Sequence, residues 1–121
     1  MAKILIVEDQ KTMRELIKMT LEAEGHQVTM AGDGVEAMEV VRGATFDLVI
    51  SDVNMPNMGG ISFVSKLKRL DDYKFTPVLM LTTETSQYKK DKARSSGASG
   101  WLTKPFTPPR LITAVNKLTR S

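Results

Sequence analysis

The sequence predicts an α/β fold, a doubly wound parallel sheet of five strands with helices on both faces. The first observation is that five short apolar runs alternate along the chain with five segments that suit helices. The second is that residues 48–50 are continuously apolar, which is typical of parallel strands buried on both faces. Because a helix separates each strand from the next, the strands must pair in parallel through right-handed crossovers.

The predicted strands are the short runs rich in apolar and β-branched residues. In chain order they are residues 3–7, 27–31, 47–51, 77–82 and 99–103. The second run is the weakest of the five. Pro77 opens the fourth run at its first position, where a strand tolerates a proline.

Four of the five predicted helices have apolar residues at helical spacing, which predicts the side that each turns to the sheet. The residues expected to face inward are Met13, Leu16, Ile17, Thr20 and Leu21 in the first helix, Val35, Met38 and Val41 in the second, Phe63, Val64, Leu67 and Leu70 in the third, and Leu111, Ile112, Val115 and Leu118 in the last. Gly25 and Gly97 are placed to end helices in the left-handed conformation, and Thr107 is placed to cap the last helix.

The fourth predicted helix, residues 86–96, is almost entirely polar. A helix that is polar all round has little apolar surface to hold it against a core. We therefore expect this helix to be the most weakly held of the five.

The composition of the chain excludes several classes of site and partner. The chain has 121 residues, 41% of them apolar and 26% charged, which suits one domain over residues 1–121. Its apolar runs are shorter than the ~18 residues of a membrane span, so no membrane partner is expected. The absence of cysteine excludes disulfides and thiolate metal sites and is compatible with the cytoplasm, the expected location. A net charge of +3 is too small to predict a nucleic-acid partner.

Polar residues follow the predicted strands at the edge of the sheet where their carboxyl ends meet. These residues are Glu8, Asp9, Asp52, Asn54, Thr82, Thr83, Glu84 and Lys104. Converging carboxylates repel one another, and a hard cation such as Mg²⁺ relieves that repulsion. A carboxylate can act as a nucleophile towards phosphorus, and an ammonium group can neutralise phosphoryl oxygens. The pattern therefore predicts phosphoryl chemistry at a magnesium site.

Glu8-Asp9, Asp52, Thr82 and Lys104-Pro105 at these spacings resemble the receiver domain of bacterial response regulators. Residues 54–58, 97–100 and 104–107 are most similar to the stand-alone chemotaxis receivers. The resemblance covers essentially the whole chain. It implies a flavodoxin-like sheet with strand order 2-1-3-4-5 and a signalling switch that is not an enzyme beyond its own phosphorylation and slow dephosphorylation.

The resemblance also implies roles for the acidic residues. Asp52 would accept a phosphoryl group from the phosphohistidine of a CheA-like sensor histidine kinase. Asp9, Asp52 and the backbone carbonyl of Asn54 would ligate Mg²⁺ directly, and Glu8 would act through water. Asn54 would also flank the path to the phosphate.

Four further residues would complete the switch. Lys104 would pair with the phosphate, and its peptide bond to Pro105 would be cis. Thr82 would move towards the phosphate and leave space into which Trp101, at the aromatic switch position, turns inward. Trp101 is larger than the tyrosine or phenylalanine usual at that position.

Basic residues cluster on and near the fourth helix. Lys89, Lys90, Lys92 and Arg94, with Trp101, are expected to form the partner surface, on the face made by the fourth helix, fifth strand and fifth helix. This surface would suit an acidic target peptide, for example one from a flagellar motor switch protein. A phosphatase is another expected partner.

Three alternatives stay open. A receiver of the same fold could have a target other than the flagellar motor. It could also act only as a phosphate sink, which drains phosphoryl groups from a kinase. A Mg²⁺-dependent phosphoryl or nucleotidyl hydrolase would need a second carboxylate where Asn54 stands, and it leaves Lys104-Pro105 unexplained. A flavin or nucleotide domain would need a phosphate-binding glycine loop after the first strand, where the sequence has Glu8-Asp9-Gln10.

Thr83 occupies a position where receivers commonly have a small residue, beside the expected path of attacking water. We expect its bulk to slow hydrolysis of the aspartyl phosphate, so Thr83→Ala should dephosphorylate faster than the unmodified protein. The loss of protein-bound phosphate after removal of the donor measures this rate. An unchanged rate in Thr83→Ala would contradict the prediction.

Overall fold

The computed structural model describes residues 1–83 and 87–119, except for the side chains of residues 87–89. Its five strands form one parallel sheet in the order β2-β1-β3-β4-β5, as the resemblance implied. The strands are β1 (Lys3–Val7), β2 (Gln27–Ala31), β3 (Leu48–Asp52), β4 (Val78–Thr82) and β5 (Gly100–Thr103). Among the described residues, none of the helices is both long and apolar enough to cross a membrane.

Helices alternate with the strands as predicted. They are α1 (Lys11–Ala23), α2 (Gly34–Gly43), α3 (Gly60–Leu67), α4 (Gln87–Ser96) and α5 (Pro108–Thr119), with a short 3₁₀ turn at Asp71–Tyr73. The predicted start of α4 at Ser86 lies outside the described residues. Gly25 and Gly97 have φ values of 90° and 118°, which confirms the left-handed helix ends.

Side chains of the central strands alternate between two apolar layers. Leu5, Val7, Val49 and Met80 pack with residues of α2 and α3, whereas Ile4, Ile6 and Ile50 pack with residues of α1 and α5. Each residue of β3 and β4 is buried, as expected for strands covered on both faces. The sheet thereby fixes the positions at which β1, β3 and β4 end.

Two helix residues predicted to face inward are exposed. Leu16 is 42% exposed and Val35 is 45% exposed, so these two predictions are wrong. In α2, Gly34 and Ala37 face the core instead, and a Cβ on Gly34 would lie 2.9 Å from Met58. Small residues let α2 approach its neighbours closely, and this contact rotates Val35 outward.

The boundaries of β3, β4, β5 and α3 differ from the prediction, and β4 and β5 each begin one residue later than predicted. β3 includes Asp52, because this residue still pairs with Leu81 of β4. α3 ends at Leu67, and Leu70 packs against the core from the following turn. Thr107 caps α5 as predicted, with its hydroxyl oxygen 3.4 Å from the Arg110 amide.

Gly60 is the point at which α3 packs against the end of β3. A Cβ at this position would lie 2.0 Å from the carbonyl oxygen of Asp52, and the Gly60 amide donates to the Val53 carbonyl at 2.8 Å. No side chain fits in this space unless the backbone that carries Asp52 moves.

Gly60→Ala should therefore lower the free energy of unfolding by about 2 kcal/mol or more, as overpacking against backbone does. Gly43→Ala is the matched control, because a Cβ there would meet nothing within 4 Å. The control should be unchanged or stabilised by up to about 1 kcal/mol. Chemical denaturation of both variants measures the difference, and equal stabilities would contradict this account of Gly60.

Candidate functional site

Three carboxylates lie together at the carboxyl edge of the sheet. The parallel register aligns Val7 of β1 with Ser51 of β3, so the chain leaves both strands at the same edge. Glu8, Asp9 and Asp52 each offer a carboxylate oxygen, and these oxygens lie within 4.8 Å of one another. Glu8 and Asp52 are buried, whereas Asp9 is exposed.

Lys104 joins this cluster from the end of β5. Its Nζ donates to Glu8 Oε1 at 2.7 Å and to Asp52 Oδ2 at 3.1 Å. Burial alone would lower the pKa of Lys104, but the hydrogen bond to Glu8 and the charges of Asp52 and Glu8 outweigh it and raise the pKa. Lys104 is followed by a cis bond to Pro105, as the resemblance implied.

Glu8 is held more tightly than the sequence indicated. While Oε1 accepts from Lys104, Oε2 accepts from the Gln10 amide at 3.0 Å. Its backbone carbonyl also accepts from Arg14 Nη1 at 2.9 Å. Glu8 therefore holds the Lys104 ammonium in place as well as adding charge, a contact that sequence reasoning missed.

The donor set fits a hard divalent cation. Carboxylate oxygens are the ligands that Mg²⁺ prefers, and three of them gather here within reach of one ion. Lys104 compensates one of the three negative charges, which leaves an excess that a cation would neutralise. Asp9 is the exposed member and the one to which the structure gives no ion pair among the described residues.

A hydrogen bond joins the loop after β3 to the loop before α2. Asn57 has a φ of 68°, and its Nδ2 donates to Asp33 Oδ2 at 2.9 Å. The other Asp33 oxygen caps α2 by accepting from the Glu36 amide at 2.8 Å. These two bonds lower the pKa of Asp33, that from Glu36 most. Asn54, in the same loop, is exposed, with its amide 3.4 Å from Asp52 Oδ1.

The sequence did not predict this hydrogen bond between Asn57 and Asp33. Asparagine tolerates the left-handed conformation, and Asp33 precedes a glycine at a turn, so both residues carried a local signal. Their pairing joins positions 24 apart in the chain, which no local pattern reveals.

Thr82 and Trp101 lie on β4 and β5 as predicted. Thr82 is buried at the end of β4 with the exposed Thr83 next to it, while Glu84 lies outside the described residues. Trp101 is half-buried and packs against the core layer of α2 and α3. Its buried Nε1 has no hydrogen-bond partner among the described residues, and Lys90 Nζ lies 5.1 Å from its ring.

The predicted basic surface is divided. Lys90 and Arg94 lie beside Trp101 around a cleft of about 200 Å³, whereas Lys92 lines another cleft with α3. The side chain of Lys89 lies outside the described residues. The structure therefore does not bring Lys92 and Trp101 together, because residues two apart on a helix point in different directions.

The chain is similar to known signalling proteins along nearly its whole length. A family model described as the response regulator receiver domain matches residues 4–116. The chemotaxis protein CheY-3 of Vibrio cholerae is 37% identical, over 96% of this chain and 90% of that protein. The transcriptional regulatory protein SrrA of Staphylococcus aureus is 34% identical over 98% of this chain, which spans 48% of SrrA.

Solved structures agree with this. The chemotaxis response regulator CheY4 of Vibrio cholerae is 47% identical, with a TM-score of 0.94 and coverage of 98% of both chains. The receiver domain of the Francisella response regulator 1452 is 33% identical, with a TM-score of 0.91 and coverage of 99% of this chain and 98% of that one. The observed strand order is thus accompanied by sequence similarity across the whole sheet.

Excess negative charge at the site should cost stability when no divalent cation is present. Asp9→Asn should raise the free energy of unfolding by about 0.5–1 kcal/mol in EDTA, because it removes repulsion at an exposed position. In Mg²⁺ the unmodified protein should gain more stability than Asp9→Asn does.

Urea denaturation with and without Mg²⁺ measures both effects. Glu39→Gln, at an exposed position of α2, is the control and should respond to Mg²⁺ as the unmodified protein does. An equal gain from Mg²⁺ in Asp9→Asn would show that Asp9 does not hold the ion.

Proposed function

The chain belongs to the response regulator receiver domains, which are phosphorylation-controlled signalling switches, and we propose that Asp52 is its phosphoacceptor. The observation that carries this proposal is the position of the Asp52 carboxylate. It lies at the carboxyl edge of the sheet, among the other acidic groups and 3.1 Å from the Lys104 ammonium. Glu8 also contacts the ammonium, at 2.7 Å, but it lies in the loop after β1, whereas Asp52 is the last residue of the fully buried strand β3.

Asp52 acts as a nucleophile towards the phosphohistidine of a sensor histidine kinase. A carboxylate oxygen forms a bond to phosphorus while the bond between phosphorus and the histidine nitrogen breaks, and the imidazole leaves with its electron pair. Lys104 pairs with the transferred group and neutralises part of its charge. Glu8 keeps the ammonium at this position through its 2.7 Å hydrogen bond.

Asp9, Asp52 and the backbone carbonyl of Asn54 would hold a magnesium ion, and Glu8 would contribute through water. When bound, the ion supplies further neutralisation of the phosphoryl oxygens. The hydrogen bond from Asn57 to Asp33 orients the loop that carries Asn54. Both partners of this bond lie outside the site.

The signal passes through β4 and β5 to the surface. The Thr82 hydroxyl donates to a phosphoryl oxygen, and the shift of Thr82 alters the packing of Trp101. Support comes from the register, which pairs Thr82 with Thr103 and Met80 with Trp101 on the neighbouring strand. The face made by α4, β5 and α5, with Lys90 and Arg94 beside Trp101, then changes its affinity for a partner.

The similarity to chemotaxis proteins supports a role in chemotaxis. A CheA-like kinase would supply the phosphoryl group, an acidic peptide of a flagellar motor switch protein would be the target, and a phosphatase would end the signal. The similarity to a transcriptional regulator keeps a target outside the motor as the second candidate. Tighter binding of the motor-switch peptide after phosphorylation favours the first candidate, and unchanged binding favours the second or a phosphate sink.

Trp101 is the only tryptophan and reports on this mechanism. Beryllofluoride, which mimics the phosphoryl group on an aspartate, should change the fluorescence of Trp101 only when Mg²⁺ is present. Asp52→Asn should abolish the response because it removes the acceptor oxygen. Asp71→Asn, at an exposed position of the 3₁₀ turn, is the control and should leave the response unchanged.

Two other results separate the parts of the proposal. Mg²⁺-dependent phosphorylation detected by mass, without a fluorescence change, would keep Asp52 as the acceptor and exclude Trp101 as the responding residue. A fluorescence response that survives in Asp52→Asn would overturn the assignment of Asp52.

A further inference from the structure

A second cleft lies between α3 and α4, on the side of α4 away from Trp101. Its volume is about 490 Å³, and the residues lining it include Ile61, Ser65, Lys66, Arg69, Lys92 and Ser96. α3 and the turn after it supply one wall, and α4 supplies the other. Among the described residues, this cleft shares no lining residue with the cleft beside Trp101 and none with the acidic cluster.

Three cations line this cleft without compensation. Lys66, Arg69 and Lys92 are exposed, and none of them forms an ion pair with any residue in the described parts of the chain. Arg94, by contrast, pairs with Asp91 at 3.8 Å, and Lys104 pairs with two carboxylates. Cations that line one concave site repel one another. Together they create a positive potential in the cleft, which attracts an anionic ligand.

The cleft also has an apolar component. Ile61 is half-buried and packs against the core, so one side of its side chain is available in the cleft. The methylene groups of lysine and arginine extend such an apolar surface while their charged ends stay in water. The site thus suits a ligand that carries carboxylates next to an apolar side chain.

A protein segment fits these features better than nucleic acid. Single-stranded nucleic acids bind through aromatic side chains on which bases stack, and none of the lining residues whose side chains the structure describes is aromatic. The net charge of the whole chain is only +3, which is too small to favour a nucleic-acid partner.

We propose that the α3–α4 cleft binds an acidic segment of a partner protein, with carboxylates on Lys66, Arg69 and Lys92 and an apolar side chain on Ile61. This docking site is separate from the face around Trp101, and it is a second point of attachment for a partner. The proposal does not depend on Asp52 being the phosphoacceptor, because none of its residues belongs to that site.

The test uses a fluorescein-labelled peptide of glutamate pairs separated by single leucines, about ten residues long. Fluorescence anisotropy measures its affinity at two salt concentrations, and amide chemical shifts of the ¹⁵N-labelled protein locate it. The cleft variant combines Lys66→Gln, Arg69→Gln and Lys92→Gln, and the control variant combines Lys18→Gln, Lys74→Gln and Lys117→Gln. Both variants lose three positive charges, so nonspecific attraction falls equally in the two.

We expect the cleft variant to raise the Kd of the peptide by about ten-fold or more and the control variant by less than about two-fold. The amides of Ile61, Ser65 and Ser96 should shift on binding. The cleft variant should keep the far-UV circular dichroism spectrum and the cooperative urea unfolding of the unmodified protein, which shows that this variant is folded.

Four results would overturn the proposal. They are no binding by the unmodified protein, equal weakening in the two variants, peptide-induced shifts around Trp101 in place of Ile61, and tighter binding of a single-stranded oligothymidylate to the same cleft.

Discussion

The hydrogen bonds of Lys104 to Glu8 and Asp52 are the interaction on which the rest of the site depends. Lys104 follows β5 and Glu8 follows β1, so the bond between them crosses the ends of β3 and β4. Glu8 is fully buried, and a buried charge that loses its partner costs about 3–5 kcal/mol. The contact therefore ties the edge strand β5 to the centre of the sheet and fixes the ammonium beside the Asp52 carboxylate.

The two halves of the sheet are held with unequal strength. β1, β3 and β4 are covered on both faces, whereas β5 has only Leu102 buried. In the described part of α4, Ala93 is the buried apolar residue. Segments with few buried apolar contacts open at lower free energy than the core does. The three carboxylates thus lie on or directly after β1 and β3, in the strongly held part of the fold, whereas Trp101 lies on β5, in the part that is easiest to displace.

The sequence was sufficient to predict the strand order and the residues at the strand ends. The residues at the strand ends follow from the polar residues at which the apolar runs stop, and the strand order follows from the family resemblance. The rotation of α1 and α2 was less predictable, because Leu16 and Val35 fit the helical spacing although both are exposed, and in α2 the small residue Gly34 makes the close contact. The bonds of Glu8 to Lys104 and of Asn57 to Asp33 join distant positions, and local patterns do not contain them.

α4 shows most clearly why a polar helix is difficult to interpret from sequence. Without an apolar stripe its orientation is undetermined, and its basic residues then look like one surface. The structure places Lys90 beside Trp101 and Lys92 opposite α3, with Ala93 holding the helix between them. Because the two clefts share α4 as a wall, a displacement of this helix that narrows one cleft widens the other. A partner bound between α3 and α4 would thereby favour one position of α4 and alter the population of the surface around Trp101.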